Sequence, residues 1–180
     1  MTTTLTRPTV EDVWMWLREV PDPEIPVISV VDLGIVRAAR WETYGDGERL
    51  VVVITPTYSG CPAIDLIARD IETALHTHGI QAVRLERQIF PPWTTDWMAP
   101  GARERLRVYG IAPPGERGSA VVTFRRGSRA VGLIPCPQCG SGDTECISEF
   151  GSTSCKAQYR CRACREPADD ARERSRPALA

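Results

Sequence analysis

Four cysteines near the C-terminal end of the chain have the spacing of a metal site. Cys136 and Cys139 form one C-x-x-C pair and Cys161 and Cys164 form another, with 21 residues between the pairs. Two thiolates separated by two residues can face one ion where the chain turns tightly, and Gly140 permits the backbone amides to fold over the sulfurs. We therefore predict a closed cage of four thiolates that holds structural zinc, with iron in the same cage as the alternative.

A further cysteine, Cys61, lies far from this cage in the stretch YSGCPA, just before a segment of helical periodicity. Pro62 suits the first position of a helix, which predicts that Cys61 is the N-cap and faces unpaired backbone N–H groups. Those groups and the helix dipole favour a thiolate, so we expect the pKa of Cys61 to be lowered. Such a thiolate would be a nucleophile or a soft-metal ligand, whereas the alternative is a small residue that packs inward.

Oxygen donors accompany this thiol in the sequence. Asp22 and Glu24 lie in PDPEIP, a loop that its prolines make rigid. The segment before Cys61 supplies three hydroxyl groups, those of Thr55, Thr57 and Ser59. Carboxylates, hydroxyls and a thiolate at the loop ends of one sheet could form a small iron or cluster site, for which we select Cys61, Asp22, Glu24 and Thr57. The alternative for the two acidic residues is a solvated turn.

Two cysteines remain in the C-terminal region, Cys146 and Cys155. Both can be small apolar residues of a strand. Cys155 follows the polar run GSTS and precedes Lys156, whose charge would favour a thiolate, so the functional alternative is a reactive or metal-transferring thiol. Lys156 is the one lysine among 22 basic residues, which suggests a position where a guanidinium does not serve.

A loop rich in proline and tryptophan, PPWTTDWM, carries Trp93, Trp97 and Met98. Such aromatic residues often fold over a sheet as a lid on the core. They are also typical of surfaces that bind partner proteins, so a partner-docking surface is the functional alternative.

The remaining pattern predicts the elements that position these residues. Apolar residues three or four apart predict helices after a capping box at Thr9 and Asp12, after Cys61, and around ARERLRV. Alternating segments predict three strands, two of them joined by the hairpin sequence TYGDGE. The order helix, strand, strand, helix, strand, helix is typical of an α+β fold with a small three-stranded sheet packed by helices.

Composition then divides the chain into four regions. We predict a compact α/β domain at 1–111, a linker with leading strands at 112–133, a zinc ribbon at 134–167 and a disordered tail at 168–180. The linker begins with APPGERGS, and the stretch AVVTFRRGSRAVGLI reads as a strand pair leading into the ribbon. The tail contains few apolar residues.

Charge and composition exclude several classes of protein. The net charge is −1, which favours neither nucleic acid nor an acidic membrane as a partner. No apolar run is long enough to span a membrane, and the N-terminus has no secretory signal, so we expect a cytoplasmic protein. In that compartment the 7 cysteines indicate metal or thiol chemistry and not disulfides. No base is paired with Cys61 in the sequence, so we do not expect a stand-alone enzyme.

Three segments together resemble the metal–sulfur cluster assembly domain of SufT-type proteins, namely DPEIPVISVVDLGIV, TPTYSGCPA and PPWTTDWM. With CPQCGS and FGSTSCKAQYRC added, the chain resembles the PaaD family, whose members accompany the multicomponent phenylacetyl-CoA epoxidase of aerobic phenylacetate degradation. The resemblance extends from about Val10 to Pro167. The family ends with an aromatic and lysine-bearing segment, whereas this chain ends with the polar, arginine-rich EPADDARERSRPALA.

This resemblance implies an accessory or maturation role for the epoxidase, which combines a di-iron oxygenase with an iron–sulfur flavin reductase. It places the family's cluster-associated cysteine at Cys61, its acidic loop at Asp22 and Glu24, and its zinc ligands at the four paired cysteines. Our hypothesis is transient capture of iron or an iron–sulfur cluster at Cys61, within one chain or across a homodimer, and release to a component of the oxygenase or the reductase. Cys155 and Lys156 would assist delivery.

Two other functions are consistent with the residues. The first is a stable structural subunit of the oxygenase, docked through the tryptophan loop. The second is a nucleic-acid-binding ribbon, for which Arg160, Arg162 and Arg165 would supply the basic face.

Overall fold

The computed structural model describes residues 7–58, 60–114, 134–148, 150–151, 153 and 156–171. These residues contain a three-stranded sheet and a four-stranded sheet. The elements of the N-terminal part are α1 (Val10–Leu17), β1 (Val36–Tyr44), β2 (Gly47–Ile54), α2 (Ile64–Thr77), β3 (Val83–Arg87), a 3₁₀ turn (Thr95–Trp97) and α3 (Ala102–Val108). The predicted order of helices and strands is therefore confirmed, as is the α+β class.

The first helix begins where the predicted capping box places it. The side chain of Thr9 accepts a hydrogen bond from the Asp12 backbone N–H at 3.1 Å, and the Asp12 carboxylate accepts one from the Thr9 backbone N–H at 2.9 Å. These bonds satisfy donors that the first turn of a helix leaves unpaired. The helix ends at Leu17, and its buried face contributes Val13 and Leu17 to the core.

The three-stranded sheet is held by β2 at its centre. β1 pairs with β2 in antiparallel fashion through the predicted hairpin, and β3 pairs with the other edge of β2 in parallel. A parallel pair needs a crossover connection, and α2 provides it. Ile67, Ile71 and Leu75 lie on the buried face of this helix, so the helix covers one face of the sheet and its N-terminus lies near the end of β2.

The four-stranded sheet joins the two parts of the chain. Its order is β4 (Ile111–Ala112), β7 (Pro167–Ala171), β6 (Lys156–Cys161) and β5 (Thr144–Ser148). β4 follows directly from α3, and Ile111 belongs to the N-terminal core. The predicted boundary after residue 111 therefore crosses a strand that lies in the sheet of the ribbon, because β4 pairs in parallel with β7.

The prediction of a disordered tail from residue 168 is wrong for residues 168–171. Pro167–Ala171 form a central strand, with β4 on one edge and β6 on the other. Both edges are hydrogen-bonded, which stabilises a strand with little apolar content. Ala168 packs in the small ribbon core and Ala171 packs against the N-terminal core. Residues 172–180 and the predicted strand pair at 120–133 lie outside the described residues.

The ribbon has a small core of its own. Its buried residues are Ala157, Tyr159 and Ala168, with Ile134 and Cys146 packed against them. A cluster of this size supplies little burial energy, so a module of this kind needs a further source of stability. Among the described residues, no helix is long and apolar enough to cross a membrane.

Candidate functional site

The four paired cysteines converge at one end of the ribbon. Their sulfur atoms all lie within 4.8 Å of one another. The sulfurs of Cys136 and Cys164 are 3.7 Å apart, and those of Cys139 and Cys161 are 3.6 Å apart. A tetrahedral zinc ion with Zn–S bonds of about 2.3 Å requires sulfurs about 3.8 Å apart. The number, type and convergence of the four side chains therefore match a tetrahedral zinc site.

Local hydrogen bonding favours the thiolate form of one of these four cysteines. The backbone N–H groups of Cys164 and Ala163 donate to the sulfur of Cys161 and lower its pKa to about 7. Cys136 and Cys161 are buried, Cys164 is half-buried and Cys139 is exposed. Zinc bound here would crosslink the two turns and stabilise the small ribbon core.

Cys61 is not the N-cap that the sequence predicts. Helix α2 begins at Ile64, its N-cap is Ala63, and no side chain caps it. Cys61 lies in the preceding turn, where its backbone N–H donates to the Tyr58 carbonyl at 3.2 Å. Since the turn continues through Pro62 before the helix begins, the proline precedes the first helical position.

The pKa of Cys61 is raised, and the predicted lowering is wrong. Burial of the half-buried thiol is the main cause, and the negative charges of Glu24 and Asp22 add to it. The backbone N–H groups of Ala63 and Ile64 donate to the sulfur and oppose this shift, but they do not outweigh it. The thiol is therefore protonated at neutral pH unless a metal ion displaces its proton.

The acidic loop lies beside this thiol. Asp22 is only 6% exposed, and one of its carboxylate oxygens accepts hydrogen bonds from the backbone N–H groups of Glu24 at 2.9 Å and Ile25 at 2.8 Å. Burial raises the pKa of Asp22, and these two bonds oppose the rise without reversing it. The Asp22 carboxylate is thus part of a tight buried turn and not of the solvated turn that was the alternative.

A small cavity brings the predicted donors together. Its volume is about 40 Å³, enough for a few water-sized groups. Cys61, Asp22, Glu24 and Thr57 all contribute to its wall. The rest of the wall is apolar and comes from Ile25, Leu33, Ile35, Ala63, Ile67, Trp93, Met98, Leu106, Pro114 and Ala171. Thr55 is buried but does not line the cavity, and Ser59 lies outside the described residues.

Sequence reasoning linked Lys156 to the ribbon thiols and missed where its side chain lies. Lys156 is buried, and its Nζ donates to the backbone carbonyl of Glu24 at 3.3 Å, so it reaches the acidic loop beside Cys61. The only signal in the sequence was that it is the one lysine among 22 basic residues. Cys155, predicted to be reactive together with Lys156, lies outside the described residues, so that part of the prediction stays a prediction.

The tryptophan loop is mainly part of the core. Trp93 is 4% exposed, lines the cavity and donates from its indole N–H to the Leu33 carbonyl at 2.8 Å. Trp97 is half-buried, with the Arg37 guanidinium 3.5 Å from its ring centroid. Met98 is half-buried at the cavity. Trp93 therefore has no free surface for docking in this structure, and docking through Trp97 and Met98 stays a prediction.

Two of the three ribbon arginines, Arg160 and Arg162, are paired with acidic residues, whereas Arg165 is exposed. The guanidinium groups of Arg160 and Arg162 both bind the carboxylate of Glu145, with Nε–Oε distances of 2.8 Å and 3.1 Å. Asp143 lies 3.9 Å from Arg162 as well, so two carboxylates, Glu145 and Asp143, compensate these two cations. This arrangement disfavours the nucleic-acid alternative, which depends on uncompensated positive charge.

Comparison with known families assigns both halves of the chain. Residues 10–83 match the family "Iron-sulfur cluster assembly protein", and residues 121–171 match the "PaaD zinc beta ribbon domain". The class of protein is thus a cluster assembly domain followed by a zinc ribbon.

Individual relatives specify this class further. Over 166 residues, 92% of this chain and 94% of the relative, the chain is 46% identical to one subunit of the Escherichia coli "Putative 1,2-phenylacetyl-CoA epoxidase". The chain belongs to the PaaD family. It is also 36% identical, over 54% of its length and 90% of the relative, to a Porphyromonas gingivalis "Fe-S protein maturation auxiliary factor".

Two solved structures are similar to part of the chain. A domain of unknown function from Bacillus anthracis is 26% identical with a TM-score of 0.47, over 54% of this chain and 90% of that chain. A conserved hypothetical protein from Thermotoga maritima is 33% identical with a TM-score of 0.46, over 59% of this chain and 98% of that chain.

Proposed function

We propose that this protein is an accessory factor for the phenylacetyl-CoA epoxidase and assists the assembly of an iron or iron–sulfur centre through Cys61. The observation that carries the proposal is the cavity, in which a thiol, two acidic residues and a hydroxyl meet. The names of the Escherichia coli and Porphyromonas gingivalis relatives support an epoxidase client and a maturation role, respectively. The protein itself would be non-catalytic.

The protonation of the cavity suits a carrier. Since the pKa of Cys61 is raised, its thiol holds a proton when no metal is present. A metal ion binds the deprotonated groups, so its capture releases protons and its departure restores them. One thiolate with oxygen ligands also holds iron less tightly than a cage of four thiolates. The return of protons when the metal leaves and the weak ligand set both favour release of the metal to a client protein.

The volume of the cavity indicates whether the bound cargo is a single metal ion or an iron–sulfur cluster. About 40 Å³ accommodates one ion with a few small ligands. An enclosed cluster would need more room, so a cluster would be held at the cavity mouth, with ligands from a client or a second copy of the chain. A single ferrous ion is therefore the cargo that this cavity volume favours.

The four-thiolate cage has a separate role in this proposal. We assign it to structural zinc, held by Cys136, Cys139, Cys161 and Cys164. Their sulfur spacing fits zinc, and the small ribbon core needs the stabilisation. Zinc would keep β6 and β7 in place, and these strands carry Lys156 to the acidic loop and Ala171 to the cavity.

Replacing Cys61 tests the assembly function. We expect Cys61→Ser to fold normally, keep one zinc per chain, lose anaerobic iron binding and fail to support an active epoxidase in a host lacking the wild-type protein. The matched control is Cys146→Ser, because Cys146 is a half-buried thiol outside the cage. Metal and sulfide analysis of both variants checks the result. Full epoxidase activity with Cys61→Ser would refute the carrier function.

A stable subunit is the second candidate, and an exposed apolar pair favours it. Ile89 and Phe90 follow β3, and Phe90 is 84% exposed. Large exposed apolar side chains of this kind are typical of protein interfaces. A stable subunit would co-purify with metal-loaded oxygenase in a fixed ratio, whereas a carrier would dissociate after loading. Size-exclusion chromatography of the complex before and after iron loading separates the two.

A further inference from the structure

Lys156 is a buried cation in an unusual place. It is 7% exposed, although lysine is almost never buried without a partner. It is the first residue of β6 and pairs with Ala171, which lines the cavity. The backbone of Gly151 packs against it, with the position of a Cβ on that glycine 3.3 Å from the Lys156 Cβ. The ribbon therefore directs this side chain away from its own surface and toward the N-terminal domain.

The ammonium group ends at the acidic loop. Its Nζ donates to the Glu24 carbonyl at 3.3 Å, and its charge favours the ionised form of Asp22. The same two acidic residues, Glu24 and Asp22, act electrostatically on the Cys61 thiol. A positive charge from the ribbon thus already lies beside the acidic residues that line the Cys61 cavity.

We propose that the Lys156 ammonium is a built-in counter-cation of the acidic loop, which weakens the hold of the Cys61 cavity on a metal cargo and so permits release. This inference rests on the proposed function. The ammonium repels a dication in the cavity. Both cations are also attracted to the negative charge of Asp22 and Glu24, so they compete for it. Removing the ammonium removes this repulsion and this competition, so the affinity for the metal rises.

The chemistry of lysine suits this role better than that of arginine. An ammonium is a compact charge on a flexible stem and can withdraw when a metal ion arrives. A guanidinium is a rigid planar fork that forms several hydrogen bonds at once and is bulkier. The role explains why one lysine persists in a chain whose other basic residues are all arginine.

The test measures metal affinity directly, with Co²⁺ as the probe. Full-length protein is first loaded with one equivalent of zinc, which outcompetes cobalt at the four-thiolate cage. Co²⁺ is then titrated without oxygen, and absorption from thiolate-to-cobalt charge transfer reports binding at Cys61. We expect Lys156→Met to tighten the Kd by about tenfold or more, since at the effective dielectric constant of a protein an ammonium and a dication even about 10 Å apart repel by more than the equivalent of one decade.

Three controls separate the outcomes. Arg69→Met removes a positive charge on an exposed face of α2 and should leave the Kd unchanged. Lys156→Arg keeps the charge and should not tighten binding. Cys61→Ser should abolish the charge-transfer band in either background. Thermal unfolding of each variant shows that it is folded.

The results also distinguish this inference from the function on which it rests. If wild type and Lys156→Met bind Co²⁺ through Cys61 with equal affinity, the counter-cation role is wrong and the carrier function stands. If no variant binds Co²⁺ at Cys61, both are wrong. If Lys156→Met binds more weakly, Lys156 supports the metal site, and the proposed repulsion is refuted.

Discussion

The buried carboxylate of Asp22 permits a prediction that separates hydrogen bonding from charge. In Asp22→Ala, the backbone N–H groups of Glu24 and Ile25 lose their acceptor. Each unsatisfied donor costs about 1–3 kcal/mol, and the donor of half-buried Glu24 can recover part of this from water. We therefore expect Asp22→Ala to lower the free energy of unfolding by about 2–4 kcal/mol, or Tm by roughly 4–16 °C.

Asp22→Asn should behave differently. Its side-chain oxygen still accepts both bonds, while the charge is removed. Since the pKa of Asp22 is raised above 3.8 by burial, the folded state favours the protonated carboxyl. The stability from this preference is fully present below about pH 4 and is lost as the pH rises through the folded pKa. At neutral pH, Asp22→Asn should therefore be at least as stable as the wild type.

Urea unfolding followed by tryptophan fluorescence measures both variants, with the zinc content held constant. The stability advantage of Asp22→Asn over the wild type should shrink as the pH is lowered toward about 4. If the asparagine variant were as unstable as the alanine variant at neutral pH, the charge of Asp22 and not its hydrogen bonding would support the loop. That outcome would refute the reasoning.

Two further predictions concern the Cys61 thiol and the backbone at Gly34. The rate at which iodoacetamide alkylates Cys61 should reach half of its maximum at a pH above 9.0, because burial and the acidic loop raise the pKa of Cys61. Mass spectrometry of the alkylated protein across the pH range measures this midpoint. A midpoint below pH 9.0, the ordinary pKa of a cysteine thiol, would contradict the prediction. Gly34→Ala should destabilise by about 2–4 kcal/mol, since Gly34 has φ +70° and an added Cβ would lie 2.4 Å from the Trp97 carbonyl oxygen. Gly79→Ala has a comparable φ but open space, so equal losses in urea unfolding would rule out the clash.

The local features of the fold could be predicted from the sequence. The capping box at Thr9, the apolar spacing of α2 and the hairpin between β1 and β2 depend on neighbours a few residues away, and each is confirmed. The strand at Pro167–Ala171 could not be predicted in the same way. Its residues are small or acidic, and pairing with β4 and β6 makes it a strand.

The candidate site shows the same division. The sequence placed Asp22, Glu24, Thr57 and Cys61 in one group, and the structure places all four around one cavity. It predicted the wrong direction for the pKa of Cys61, because a helix start that is visible in the sequence favours a thiolate, while burial and the charges of Glu24 and Asp22 appear only after folding.

By itself, the sequence determined the metal cage, since two C-x-x-C pairs confine their sulfurs through the geometry of short turns. It also determined the family and the order of the helices and strands. Only the tertiary structure decided that Lys156 meets Glu24 across 132 residues and that the thiol is protonated when no metal is present. Short spacings constrain geometry along the chain, whereas burial and charge depend on every segment that packs around a group.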